Sequence, residues 1–261
     1  MAQAIWKGVI AFKGVKVPVK LYSAVTAKDI HFNLLHDQDL QRVTQKMINP
    51  NSGEEVPYHE IQKGLEVEPG NFVIVNDADL ESIIPSESRD ITIEHFVPAN
   101  QISHQWFDRP YYLGPDTQVE QYWALTQALS QQGTQGIARW VMRKKEYVGA
   151  LRLEKGYLML IALRFASEVI PASELEAPGG RKPDAREITM AEQLVSALTE
   201  DAFDPSAFKD EHRERVLEFV ARKAKGEKIR LHKPIEKKAA QNSLESILKA
   251  SLTAMKGKKS A

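Results

Sequence analysis

The chain has no cysteine, which removes disulfides, thiolate nucleophiles and thiolate zinc sites together. Stability must therefore come from packing, and the composition fits a reducing compartment. Long hydrophobic runs are also missing. The longest strongly apolar stretch, Leu158 to Leu163, stops at Arg164, far short of the roughly 20 residues of a helical bilayer span. The N-terminus offers only the apolar run Val9 to Phe12 between Lys7 and Lys13, so no signal peptide is read there. These absences lead to the expectation of a soluble, cytoplasmic protein with no membrane partner. Catalytic motifs are scarce too. Gly179-Gly180-Arg181-Lys182 has neither the spacing of a phosphate loop nor a Ser or Thr after the lysine. The seven His are scattered, His31 and His36 match no metal-ligand spacing, and Ser, His and Asp occur without a nucleophile elbow. No active site, metal or cofactor is expected.

Net charge is absent as well, because 35 Lys and Arg balance 35 Asp and Glu. The charges are sorted into blocks instead. From Asn51 to Thr134 there are 14 acids against Lys63, Arg89 and Arg109, or −11. From Gly136 to Arg164 seven basic residues face Glu146 and Glu154, or +5, and Met1 to Lys28 carries five Lys and no acid. Arg222 to Ala261 holds 12 Lys and Arg against three Glu, or +9. Such segregation suits a basic surface for a polyanion, an acidic exterior that repels nonspecific contacts, and a basic tail. A solvated surface with chance clustering is the bland alternative.

At 261 residues and 43% hydrophobic, the chain can bury one large core, with or without a smaller appended unit. The first two thirds read as strands. Val15, Val17, Val19 and Leu21 alternate with Lys16, Pro18, Lys20 and Tyr22, which places two lysines opposite the core. Pro18 favours an edge position or a bulge. Ile91 to Val97 is a further strand, and Ile137 to Lys144 reads as one with Arg139 and Arg143 on a shared face. Tyr147 to Leu153 pairs with Tyr157 to Phe165 across Glu154-Lys155-Gly156. One helix, Val119 to Gln131, interrupts them and ends at Gly133. Asp77-Ala78-Asp79 opens a short helix rather than a metal site. The expected class is mainly β, a barrel or sandwich, with appended helices.

After the Pro-Gly-rich stretch Pro171 to Pro183 the pattern turns helical. Thr189 and Glu192 suggest a capping box for a helix through Leu198, and Asp204-Pro205 restarts the chain. Asp210 to Lys225 is a charged helix with Val216, Leu217 and Val220 as its apolar stripe. A terminal helix capped by Asn242 aligns Leu244, Ile247, Leu248, Leu252 and Met255, and needs its own core or another protein to dock against.

Among the charged segments, Lys16 and Lys20 on one strand with Arg139, Arg143, Lys144 and Lys145 on another suggest a positive surface across a sheet. Backbone phosphates need only donors and positive charge at intervals, and nothing resembles a recognition helix or a zinc finger. Sequence-independent binding is the expectation.

Ala4-Ile5-Trp6-Lys7-Gly8, Val17-Pro18-Val19-Lys20-Leu21-Tyr22, Phe32-Asn33-Leu34-Leu35-His36, Glu55-Val56-Pro57-Tyr58, Phe107-Asp108-Arg109-Pro110-Tyr111-Tyr112-Leu113, Gly136-Ile137-Ala138-Arg139 and Leu163-Arg164-Phe165-Ala166 stand in one order. In that order they resemble the bacterial Ku proteins of non-homologous end joining, to about Gly226. The resemblance implies a β-barrel core with a bridge, forming half of a ring that encircles a double-stranded DNA end as a homodimer. It also implies recruitment of an ATP-dependent DNA ligase of the LigD type, in a nucleoid-associated setting. On this reading residues 1–172 form the barrel core with a bridge at about 37–67, 184–226 a helical region, and 227–261 a basic extension. Lys7, Lys13, Arg42, Lys46, Arg152 and Arg164 join the six basic residues above as DNA contacts, with Lys256, Lys258 and Lys259 in the tail. Asp210, Arg213, Arg215, Leu217 and Phe219 would meet the ligase. Some family members carry a zinc ribbon in the bridge, and without Cys none is expected here. Two other classes stay open: a lyase acting on abasic ends through a Schiff-base lysine such as Lys7, Lys13 or Lys16, and a protein scaffold with merely solvated basic regions.

Overall fold

Apolar alternation is realised in β2 (Val15–Ser23), which forms an antiparallel hairpin with β1 (Trp6–Phe12), and the two strands point Ile10, Val17, Val19 and Leu21 into the core. The computed structural model describes residues 3–85, 88–176, 179–226 and 244–258, with side chains to residue 253; it divides into two units, Met1–Glu174 and Leu175–Ala261. In the first unit the chain continues through β3 (Lys63–Glu68), β4 (Asn71–Val75), α1 (Asp77–Ile83), β5 (Asp90–Pro98), β6 (Phe107–Pro115), α2 (Val119–Gln132), β7 (Thr134–Met142), β8 (Lys145–Glu154) and β9 (Tyr157–Leu163). Seven of these strands close into a barrel in the order β1-β2-β6-β9-β8-β7-β5. Every pair is antiparallel except β1 with β5, where Val9, Ile10 and Ala11 face Asp90, Ile91 and Thr92. A parallel pair needs a long crossover. Here the excursion between Ser23 and Asp90 supplies it, leaving the barrel as an arm that carries β3, β4 and α1.

β2 is not an edge strand, since it pairs with β1 on one side and β6 on the other, but Pro18 lies just before the β6 pairing begins. The fold tolerates it by position. Val9, opposite Pro18, turns its N–H away to the Arg89 carbonyl at 2.8 Å, and the β2–β6 register ends at Val19 with Pro115. No ladder donor is needed at that point. Arg143 and Lys144, expected within a strand, instead form the two-residue turn between β7 and β8, at φ 53° and 63°. The equivalent turns Lys13-Gly14 and Lys155-Gly156 also have positive φ at both residues, but end in glycine. Left-handed backbone at a non-glycine residue costs on the order of 1–3 kcal/mol, and this turn bears it twice.

Within the barrel, Trp140 stacks on Tyr147 at 5.3 Å, and the ring lies so close to Gly149 that an added Cβ would fall 2.6 Å from it. Helix α2 ends at Gly133 in the left-handed conformation and buries Tyr122, Leu125 and Leu129 against the core. The Tyr122 hydroxyl donates to the Leu113 carbonyl at 2.6 Å and accepts from the Leu158 N–H at 3.0 Å, standing between two residues that face each other across β6 and β9. Removing it orphans a buried carbonyl and a buried N–H. Tyr122→Phe should therefore lower stability by about 2–3 kcal/mol in urea unfolding, and an unchanged midpoint would show that the ladder re-closes.

In the second unit, α3 (Ala185–Leu198) begins earlier than the Thr189 capping box suggests. Asp184 is the cap, Glu187 is its reciprocal partner, and Thr189 lies inside the helix with its hydroxyl on the Ala185 carbonyl. Arg181 decides the register by clamping the Glu187 carboxylate, with one contact at 2.8 Å. That hydrogen bond, with another from the Asp184 N–H, holds the Glu187 pKa down at about 2. A depressed carboxylate pKa adds stability that is present above the unfolded value and is lost as pH falls through the folded one. Glu187→Gln should thus be less stable than the parent at neutral pH, and the gap should close between about pH 4.5 and 2. A gap that persists at pH 2 would assign the effect to packing. Further on lie α4 (Glu211–Ala224) and α5 (Leu244–Lys258), and α5 packs on α3 around an apolar groove lined by Ile188, Val195, Leu244 and Leu248. The terminal helix thus docks within its own unit. Its expected cap, Asn242, lies outside the described residues.

Candidate nucleic-acid interface

Strand register sorts the expected basic residues. Lys16, Ala11, Thr92 and Arg139 are successive cross-strand partners on β2, β1, β5 and β7, and they form one row on the outer face. Three strand spacings separate the two cations by about 14 Å. Small side chains between them keep the row low, so that a phosphate backbone can approach both ends. Lys13 extends this side from the β1–β2 turn.

Ion pairing divides the remainder. Lys7 and Lys20 face each other across β1 and β2 and converge on Asp116, at 3.3 and 2.8 Å. The hydrogen bond from Lys20 holds the Asp116 carboxyl below its ordinary range, and Asp116 in turn raises the Lys20 ammonium. Arg139 is held by Glu94 at 2.6 Å and Glu146 at 3.5 Å, which raise its pKa further. Lys144 reaches Glu81 of α1 at 3.4 Å, Lys46 pairs with Glu55 at 2.6 Å, and Arg152 lies 3.7 Å from Glu154. Lys145 sits over the Tyr147 ring at 5.5 Å. Lys13, Lys16, Arg42 and Arg143 have no carboxylate within ion-pair distance among the described residues.

One expectation fails on geometry. Arg139 and Arg143 do not share a strand face, because Arg143 lies in the turn. Arg164 also ties the end of β9 to the start of β6, its guanidinium donating to the Gln105 carbonyl at 2.9 Å and to the Phe107 carbonyl, and it lies 3.5 Å from Asp108. Lys256 and Lys258 belong to α5, with side chains outside the described residues, as is all of Lys259. Lys7, Lys13 and Lys16 are exposed. Among the described residues no group of His, Asp and Glu is arranged to hold a metal ion, and no helix is long and apolar enough to cross a membrane.

On α4, Asp210 spends its carboxylate capping the helix at the Arg213 N–H, and Arg215 donates to the Glu211 carbonyl. Leu217 and Phe219 are both partly exposed but lie about 200° apart around the helix. A single flat partner can take Leu217 with Val220, or Phe219 with Val216. Sequence reasoning missed Asp116 and Glu94 as the acids that hold Lys20 and Arg139. It also missed Arg89, which the fold brings beside Arg143.

A closed barrel with an arm between its second and fifth strands, and cations distributed over its outer face and turns, defines a scaffold for a polyanionic backbone. The family model for the Ku70/Ku80 beta-barrel domain matches residues 11–193. The chain is 39% identical over 256 residues to the non-homologous end joining protein Ku of Anaeromyxobacter sp. (strain K), covering 97% of this chain and 86% of that protein. It is also 39% identical over 249 residues to Ku 2 of Geotalea uraniireducens, covering 95% and 96%, and 38% identical over 238 residues to the Coxiella burnetii protein, covering 89% and 86%. The chain belongs to the bacterial Ku family of non-homologous end joining.

Proposed function

We propose that the protein is a homodimeric ring that binds double-stranded DNA ends irrespective of sequence and presents them to an ATP-dependent DNA ligase. The arm carries the argument. In β3 and β4, Leu65 and Val73 are exposed on one face of a two-stranded sheet, and Phe72 and Ile74 on the other. An isolated hairpin is at best marginally stable in water, and one that is apolar on both faces calls for a partner. A second copy related by a two-fold axis supplies the same surface reciprocally and completes an enclosure that one barrel only begins. The names of the relatives support the end-joining role, and the row of Lys16 and Arg139 supports backbone contact without base reading. The ligase is assigned to α4, through Leu217 and Val220. Light scattering without DNA should give twice the 29.4 kDa chain mass, and Phe72→Asp with Ile74→Asp should give monomers that no longer retain ends. A parent protein that is monomeric and still binds ends would contradict the ring.

A further inference from the structure

Where β7 turns into β8, a cavity of about 480 Å³ opens between β1, the Ser88-Arg89 segment and the turn. Four of its lining side chains are cations, Lys7, Arg89, Arg143 and Lys144, with Trp6 and Ser88 beside them. Two are loosely tethered, Lys7 to Asp116 at 3.3 Å and Lys144 to Glu81 at 3.4 Å. Arg89 and Arg143 have no ion pair among the described residues. Their positions are nonetheless fixed by backbone. The Arg89 carbonyl accepts from the Val9 N–H at 2.8 Å, over Gly8, where an added Cβ would lie 2.7 Å from that oxygen. Arg143 is held in the left-handed turn. Among the described residues no carboxylate lines the cavity, and like charges gathered this closely repel unless an anion lies between them.

We propose that this pocket binds a compact phosphoryl group carrying more than one negative charge, the terminal phosphate of a phosphomonoester or polyphosphate. Size excludes a duplex and admits a few phosphoryl groups. Charge selects the class: duplex phosphodiesters spread single charges at about 1.7 Å intervals along the axis, whereas four cations around one cavity match a multivalent end group. Each guanidinium offers paired donors to two phosphoryl oxygens. Ser88 Oγ already accepts from the Asp90 N–H at 3.0 Å, so its own hydrogen is available to the ligand. Such a group has two sources, the 5′-phosphate of a DNA end or a free polyphosphate; only the first rests on the end-binding reading above.

Calorimetry of the full-length protein with inorganic tripolyphosphate should show saturable binding, one per protomer, at physiological salt. Arg89→Gln with Arg143→Asn, the asparagine being tolerant of left-handed backbone, should weaken it by roughly tenfold or more. Arg109→Gln with Lys155→Asn removes the same charge away from the pocket and should leave it intact. No saturable binding, or equal losses in the two double variants, overturns the site. Duplexes with 5′-phosphate and 5′-hydroxyl ends then separate the sources. A preference for phosphate of about threefold or more that disappears in the Arg89/Arg143 variant assigns the pocket to the DNA end. Equal affinities with tripolyphosphate binding intact assign it to a free polyphosphate. End binding itself is read from the 5′-hydroxyl duplex, so its failure is scored separately.

Discussion

Linear duplex DNA should bind roughly a hundredfold or more tightly than the same sequence as a covalently closed circle, with little dependence on base composition. Electrostatic contact alone gives sequence-independent affinities of about 10⁻⁴–10⁻⁶ M at physiological salt, and it is equally available to both forms. Enclosure adds something a circle cannot use. A protein threaded from an end leaves only by sliding back to one, whereas an open cationic surface dissociates sideways. Gel shifts with the circle, its linearised form, and the linear form capped by hairpins distinguish the two. Equal affinity for linear and closed DNA would reduce the protein to a basic surface and sink the ring. Capped ends that bind as well as open ones would show that threading tolerates a hairpin, since the backbone contacts are unchanged.

Elements whose residues report their own environment were legible in the sequence. The run from Val17 to Leu21 alternates because one face is buried, α2 stops at Gly133 because a left-handed cap suits glycine, and Asp77 starts a helix because Asn76 caps it. Elements made by distant partners were not legible. β1 shows no clean alternation, since Gly8 yields its place to the Trp6 ring and the strand is completed by a parallel neighbour about 80 residues on. β6 carries Pro110, Gly114 and Pro115, a poor strand sequence that pairs on both sides all the same. The Arg143-Lys144 turn has none of the Asn-Gly signal that marks such turns, so its sequence reads as the end of a strand. In α3 two capping boxes compete, and Arg181 settles the choice from outside the helix.

The same division runs through the candidate interface. Residue type and strand parity place Lys16 and Arg139 outward, yet nothing in the spacing of Lys20 and Asp116, or of Arg139 and Glu94, announces that acids accompany these cations. Charge blocks thus locate the basic segments but overcount the charge available to a ligand. The acidic block is not only a repellent exterior, because Glu81, Glu94 and Asp116 from it are the counter-ions of the barrel's cations.

That pairing yields a sharp contrast between two fourfold variants that remove equal formal charge. Lys13, Lys16, Arg42 and Lys145 have no carboxylate partner among the described residues, whereas Lys7, Lys20, Lys46 and Arg139 are each within 3.3 Å of one. A cation free to replace the ions condensed on DNA releases them on binding, and each such phosphate contact contributes about 0.9 to the slope of log K against log salt. An ammonium already neutralised by Asp116 or Glu55 releases fewer. Replacing the first four by Gln should therefore make the slope shallower by up to about 3.6 per protomer, with the dimer intact by light scattering. The second set should change the slope by less than half as much, even though affinity falls because the stranded acids repel the backbone. Binding measured across a salt series separates the slope from the affinity. If the paired set moved the slope as far as the unpaired one, the acids would have to swing away on binding, and Asp116 and Glu94 would be gates on the interface rather than fixed counter-ions.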